Sequence, residues 1–337
     1  MLKSAIISGV GHYVPENVVT NADLSARMET SNEWIIERTG IQERRHVIAG
    51  GEDTTASMGT KAARMAIAQA GLEVDDIEFI IFATLSPDYY FPGPGVQVQE
   101  QLGFKKEIGA LDVRNQCSGF VYSLAVADQF IKTGMYKHIL VIGSELHSGG
   151  LDFTTRGRNV SVIFGDGAGA VVLSGTDEKN RGILSTHLFS EGRHAKELAL
   201  TAPSTRDWIP NILKRNNPEE IDYYPYMNGN FVFKHAVVRF SEAIQAALQT
   251  NGVKPEDIKL LIPHQANLRI SQFIQQSMKL RDDQVYNNIM RYGNTTAASI
   301  PIALSEAFAE GRIQQGDLVL FAAFGSGFTW ASALVRW

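Results

Sequence analysis

Apolar residues fall into two rhythms that alternate along the chain. Short unbroken runs at 79–83, 138–143 and 318–322 have the length and composition of strands covered on both faces. Between them, apolar positions recur three and four apart over 56–70, 117–132, 233–249 and 294–311, the spacing of amphipathic helices. Two further strands are expected, one in the opening run Met1-Leu-Lys-Ser-Ala-Ile-Ile-Ser-Gly9 and one over 108–113. Strands and helices that alternate in this way build sheets packed between helices, so the fold class is α/β.

The pattern also repeats. Gly71-Leu-Glu-Val-Asp-Asp-Ile-Glu-Phe-Ile-Ile81 matches Gly252-Val-Lys-Pro-Glu-Asp-Ile-Lys-Leu-Leu-Ile262, and each follows an alanine-rich helix. Cys117 opens a helix that ends at Gly134, and Asn294 opens one of the same span that ends at Gly311; a buried strand follows each. The chain therefore reads as two copies of one α/β unit, residues 1–175 and 176–337. The stretch 191–230, rich in Pro, Asn, Tyr and Asp, reads as an irregular insertion of the kind that forms lids or tunnel walls.

Composition narrows the function. With 337 residues, 44% of them hydrophobic, the chain can bury one large core or two medium ones. A net charge of −5 argues against non-specific nucleic-acid binding. One cysteine allows no internal disulfide, and no Cys/His cluster has metal-ligand spacing. No apolar run is long enough to span a bilayer and the N-terminus lacks the pattern of a signal peptide, so a cytoplasmic protein without membrane partners is expected.

Chemistry points to that single cysteine. Cys117 stands between the 108–113 strand and a helix, where unpaired backbone amides and the positive end of the helix dipole are expected to lower a thiol pKa. The duplication sets Cys117 and Asn294 at matching positions, so two helix starts should converge on one site. His264, in Ile262-Pro-His-Gln-Ala-Asn267, follows the strand of the second copy. Taken alone, the cysteine would read as a small buried hydrophobe, His264 as a core histidine and Asn294 as a helix cap. Gly165-Asp-Gly-Ala-Gly169 fits neither nucleotide-binding glycine pattern and reads as close packing.

Cys117-Ser-Gly-Phe, Pro263-His-Gln-Ala-Asn-Leu-Arg269, Tyr292-Gly-Asn-Thr-Thr-Ala-Ala-Ser-Ile-Pro301 and Phe324-Gly-Ser-Gly-Phe-Thr-Trp-Ala-Ser-Ala333 together resemble the β-ketoacyl-acyl-carrier-protein synthase III family. The resemblance extends to Ser31-Asn-Glu-Trp-Ile-Ile-Glu-Arg-Thr-Gly40 and Phe164-Gly-Asp-Gly-Ala-Gly-Ala170, and so covers essentially the whole chain. It implies the five-layered αβαβα thiolase fold and a homodimer. It also implies a ping-pong decarboxylative Claisen condensation, with coenzyme A thioester as substrate and no cofactor or metal. Cys117 would take the acyl group from an acyl-CoA, His264 and Asn294 would hold a malonyl thioester carried by acyl carrier protein or coenzyme A, and the backbone amides of Cys117 and Ser326 would form the oxyanion hole.

By the same resemblance, Trp34, Arg38 and Arg156 would contact coenzyme A. Asn267, Gly229 and Phe324 would line the substrate tunnel, and Lys234 and Arg269 would stand at its mouth facing the acidic carrier protein. Phe91 would reach across the dimer to the acyl pocket. Gln42 departs from the family, which often has a basic residue there. The 191–230 insertion looks long, and Gln116-Cys117-Ser118 and Arg156-Gly-Arg-Asn159 resemble relatives that make quinolones and other specialised products. A specialised primer, long-chain or aromatic, is therefore the alternative to initiation of fatty-acid synthesis. A non-catalytic assembly paralogue is a further alternative, disfavoured by the complete Cys, His and Asn set.

Overall fold

A computed structural model describes residues 4–204 and 223–337. Two sheets organise it. The first has five strands in the order β1-β7-β6-β4-β5: β1 (Ser4–Tyr13), β4 (Phe79–Ala83), β5 (Gly109–Val113), β6 (His138–Glu145) and β7 (Gly167–Thr176). The second runs β8-β13-β12-β11: β8 (Gly182–Ser190), β11 (Leu260–Pro263), β12 (Leu318–Gly325) and β13 (Thr329–Arg336). Short ladders pair β2 (Val18–Thr20) with β3 (Glu43–Arg45), and β9 (Leu198–Ala199) with β10 (Tyr226–Met227).

The two sheets repeat one plan. In each, the first strand is antiparallel to the second in spatial order and the second antiparallel to the third, while the third and fourth are parallel. Even the fifth position has its counterpart: Val285 makes a parallel bridge to Leu261 where β5 pairs with β4.

Helices fill the layers between and outside the sheets. The helices Gly119–Lys132 and Ser299–Ala309 pack back to back in the centre, where Phe120, Leu124 and Leu304 share one core with Ile81 and Val141 of one sheet and Ile262 and Phe321 of the other. The outer face of the first sheet carries the helix Thr55–Gln69, through Ala62, Ala66 and Phe82. That of the second carries Gly229–Asn251, through Phe240, Ala243 and Leu320. This gives the five layers. Burial of the central pair on both sides is why β12 is apolar and inaccessible along its whole length.

The central helices begin later than their sequence pattern suggests. A 3-10 turn at Gln116–Ser118 precedes Gly119, and one at Thr296–Ala298 precedes Ser299. Pro301 falls in the first turn of its helix, where its missing N–H breaks no helical bond. The helix expected over 233–249 starts earlier, at Gly229. Of the expected insertion, residues 191–204 and 223–230 supply the β9–β10 ladder; 205–222 lie outside the described residues.

Candidate active site

Where the two central helices begin, a cavity of about 470 Å³ opens. Cys117, His264 and Asn294 all line it, together with Phe324 and Gly325 at the end of β12. Residues from both halves thus meet at one place.

Local sequence explains how each is presented. Gln116 adopts φ 42, a left-handed conformation uncommon for a side chain with a Cβ, and so turns Cys117 toward the cavity. Ser118 ties the turn down by bonding Thr329 across to β13 at 2.7 Å. Gly325 must be glycine: a Cβ there would lie 2.6 Å from the Cys117 Cβ and 3.0 Å from its Sγ. That close approach sets the backbone amide of Ser326 against the Cys117 sulfur, beside the amide of Cys117 itself. The Ser326 hydroxyl bonds the Leu198 carbonyl, which joins this loop to the β9 ladder.

The thiol departs from the expectation of a lowered pKa. Burial, reinforced by the Glu145 carboxylate, pushes Cys117 up to about 12, while the amides of Cys117 and Ser326 act in the other direction. Removing the sulfur from water and placing a like charge nearby outweigh the helix start. The resting side chain is a thiol.

His264 is fully buried, and that burial, with the nearby His147, lowers it to about 3. Its ring is neutral at physiological pH. Nδ1 lies 2.7 Å from the Ser299 hydroxyl, which also receives the Gln265 amide at 3.3 Å. Among the described residues that hydroxyl has no other acceptor, so it donates to Nδ1 and the ring proton resides on Nε2. Among the described residues Nε2 has no partner, and the ring lines the cavity, so a neutral N–H donor is left free at the cavity wall.

Asn294 is oriented in a similar way. Its Oδ1 accepts the Thr296 amide at 2.8 Å, an Asx turn that leads into the 3-10 turn, and among the described residues its Nδ2 has no partner. Its backbone is held by Ile163 and Gly165 of the first half.

Toward the mouth, the cavity is bounded by Trp34, Arg38, Gly229, Asn267 and Arg269. Arg38 stacks 4.4 Å over the Trp34 ring. Asn267 spends its side chain on the fold, donating to the Arg38 carbonyl at 2.9 Å and accepting the Arg269 amide at 2.9 Å. Four residues named from sequence do not line the cavity; one is Ser326, whose backbone amide lies against the Cys117 sulfur. Arg156 pairs with Asp152 at 2.6 Å and stacks on Tyr224, because the 3-10 turn Thr155–Gly157 points it there. Lys234 lies outside the lining, and Phe91 is 81% exposed on a surface loop.

Sequence reasoning did not single out Arg158, whose guanidinium stacks 5.1 Å over Trp34. It also missed the grouping of Glu191, His194 and His235, whose ligand atoms lie within 4.8 Å of one another. The Glu191 carboxylate is already engaged by Arg239 at 2.7 Å and Arg193 at 2.8 Å, which leaves little charge for a cation. No helix is long and apolar enough to cross a membrane among the described residues.

Two family profiles match the chain. Residues 111–192 match 3-oxoacyl-[acyl-carrier-protein] synthase III, and 248–337 match its C-terminal part. A β-ketoacyl-[acyl-carrier-protein] synthase III from Rhodospirillum centenum is 47% identical over 337 residues, covering 99% of each chain. The crystal structure of 3-oxoacyl-[acyl-carrier-protein] synthase III from Aquifex aeolicus VF5 superposes with a TM-score of 0.89 at 41% identity, covering 99% of this chain and 100% of that one. A priming β-ketosynthase from the R1128 polyketide pathway also has a TM-score of 0.89, at 28% identity over 99% of this chain and 96% of its own. Fold and site define a condensing acyltransferase of the thiolase fold. The chain belongs to the β-ketoacyl-[acyl-carrier-protein] synthase III family.

Proposed function

We propose that this chain initiates fatty-acid synthesis by condensing an acyl-CoA primer with a malonyl thioester carried by acyl carrier protein. The reading rests above all on the joint placement of Cys117, a neutral His264 with an unpartnered Nε2–H, and an Asn294 amide with a free Nδ2, all on one cavity.

In the first half-reaction, Cys117 Sγ attacks the primer's thioester carbonyl. The carbonyl oxygen gathers charge as it becomes tetrahedral, and the amides of Cys117 and Ser326, which lie beside the sulfur, would donate to it. The C–S bond to coenzyme A breaks, and the thiol proton leaves with the coenzyme A sulfur. In the second, the malonyl thioester oxygen accepts hydrogen bonds from His264 Nε2–H and Asn294 Nδ2–H. Two neutral donors steady an enolate without binding the ground state as a fixed charge would. Carbon dioxide departs and its bonding electrons form the enolate. The enolate carbon attacks the acyl-Cys117 carbonyl, and Sγ leaves to regain a proton.

Trp34, Arg38 and Arg158 form an aromatic and cationic platform suited to the adenine and phosphates of coenzyme A. A homodimer suits two further features: β5 is an edge strand with three of its five residues exposed, and the nearby loop exposes Tyr89, Tyr90 and Phe91. We place the protein in the cytoplasm, with no cofactor beyond its thioester substrates.

Intact-protein mass spectrometry after incubation with acyl-CoAs from acetyl to long-chain and aromatic tests this reading. A short-chain adduct on the wild type that is absent from Cys117→Ala is expected. Labelling by long or aromatic primers alone would replace fatty-acid initiation with a specialised pathway, and no labelling would remove the enzymatic reading.

A further inference from the structure

The side chain of Asn294 depends on the residue two places on, whose amide it accepts. Thr296 opens the 3-10 turn Thr296–Ala298 at φ 51, a left-handed conformation that a β-branched residue adopts only when its surroundings impose it. The first half opens its turn in the same way, with Gln116 at φ 42 leading Gln116–Ser118. The two copies therefore share one strained turn, beside Cys117 in the first and beside Asn294 in the second. What holds Thr296 comes from the opposite half. His147, buried just past the end of β6, shares a hydrogen bond through Nε2 with the Thr296 hydroxyl at 2.7 Å.

We propose that His147 is a positioning residue for condensation: it holds Thr296 in its left-handed conformation and so keeps in place the amide that orients Asn294. The proposal rests on the reading of Asn294 as a donor to the malonyl thioester. His147 does not line the cavity and acts through Thr296. Its own placement is fixed on every side. Strand β6 runs so close to the turn that a Cβ at Gly143 would lie 2.4 Å from the Ala297 carbonyl oxygen. Past the strand, Asp166 accepts the His147 amide at 2.6 Å and the Ser148 amide at 2.9 Å. The imidazole packs against the Phe164 ring at 4.6 Å, and Phe164 makes a parallel bridge to Asn294 itself. The first half thus grips Asn294 twice, by its backbone through residues 163–165 and by its side chain through His147 and Thr296. An apolar residue of similar size at 147 would fill the same space and leave the turn without its clamp.

The test compares the full-length wild type with His147→Leu, Thr296→Val and the double variant. Acyl-Cys117 formation is followed by intact mass, and condensation by the β-ketoacyl product. Each single variant should condense about tenfold more slowly while acylation stays nearly unchanged. The double variant should lose no more than either single one, because both substitutions remove the same hydrogen bond. His147→Gln, whose side-chain nitrogen reaches about as far as Nε2, should restore most of the rate. Losses that multiply in the double variant, wild-type condensation in either single variant, or acylation that falls in step with condensation would each overturn the proposal. Should His147→Leu fail to fold, Thr296→Val and His147→Gln decide: a wild-type rate in the first or a deep loss in the second overturns it. A wild type that acylates but forms no β-ketoacyl product would refute the reading of Asn294 and the proposal with it, whereas the variants decide the proposal alone.

Discussion

At the residue scale, hydrogen bonds fix which atom of each polar side chain at the cavity is left free. Ser299 decides which nitrogen of His264 carries the proton, and the Thr296 amide decides which end of Asn294 faces outward. Ser299→Ala should slow condensation roughly tenfold or more while leaving Cys117 acylation nearly unchanged. Asn294→Ala should lower condensation by about a hundredfold or more and likewise spare acylation. Separate assays of adduct formation and of β-ketoacyl product distinguish the two half-reactions. Equal loss of both would show that these residues act on the fold instead.

Buried ionisable groups also give opposing pH dependences of stability. His264 and His147 are held below their unfolded values, so the unfolded chain binds more protons than the native one below about pH 6.5; stability falls as pH drops from there. Glu145 is held above its unfolded value. The native state therefore binds the extra proton between about pH 4.5 and 7, and stability falls as pH rises through that window. Glu145→Gln should remove the second slope. Chemical denaturation of both proteins at pH 5 and 8 reads it directly: the variant should gain on the wild type at the higher pH.

At the element scale, the site depends on how closely β12 approaches the Cys117 turn. Gly325 permits that approach, and β13 anchors the turn through Thr329 and Ser118. Gly325→Ala drives a Cβ into Cys117 and should abolish acylation, with an overpacking cost of about 1–3 kcal/mol. A variant that folds with lowered melting temperature and still acylates normally would show that the loop can give way. Helix boundaries belong to this scale too. Periodicity located both central helices but not their late starts, since a 3-10 turn and a helix turn carry nearly the same spacing of apolar residues.

At the scale of the whole molecule, the duplication places chemistry between halves rather than within either. The cavity takes Cys117 from the first half and His264 and Asn294 from the second. Its completion by a second copy is a further expectation: sedimentation should report a dimer, and Phe91→Ala should change which acyl lengths label Cys117. An unchanged acyl range would confine Phe91 to the surface of its own chain.

Strand runs, helix periods and the internal repeat were legible because burial writes them locally, and several ordered motifs identified the family. Local patterning thus carried the α/β class and the duplicated plan, and the motifs pointed to Cys117, His264 and Asn294. The electrostatic states of Cys117 and His264 come from packing alone. Desolvation and the field of a distant residue in sequence raise Cys117 and keep His264 neutral, and neither quantity exists until the chain has excluded water around them. The different surroundings of Arg156 and Arg158 have the same origin. Which of two neighbouring arginines faces an indole follows from the direction of a turn, and one residue's difference in register is invisible to composition or motif.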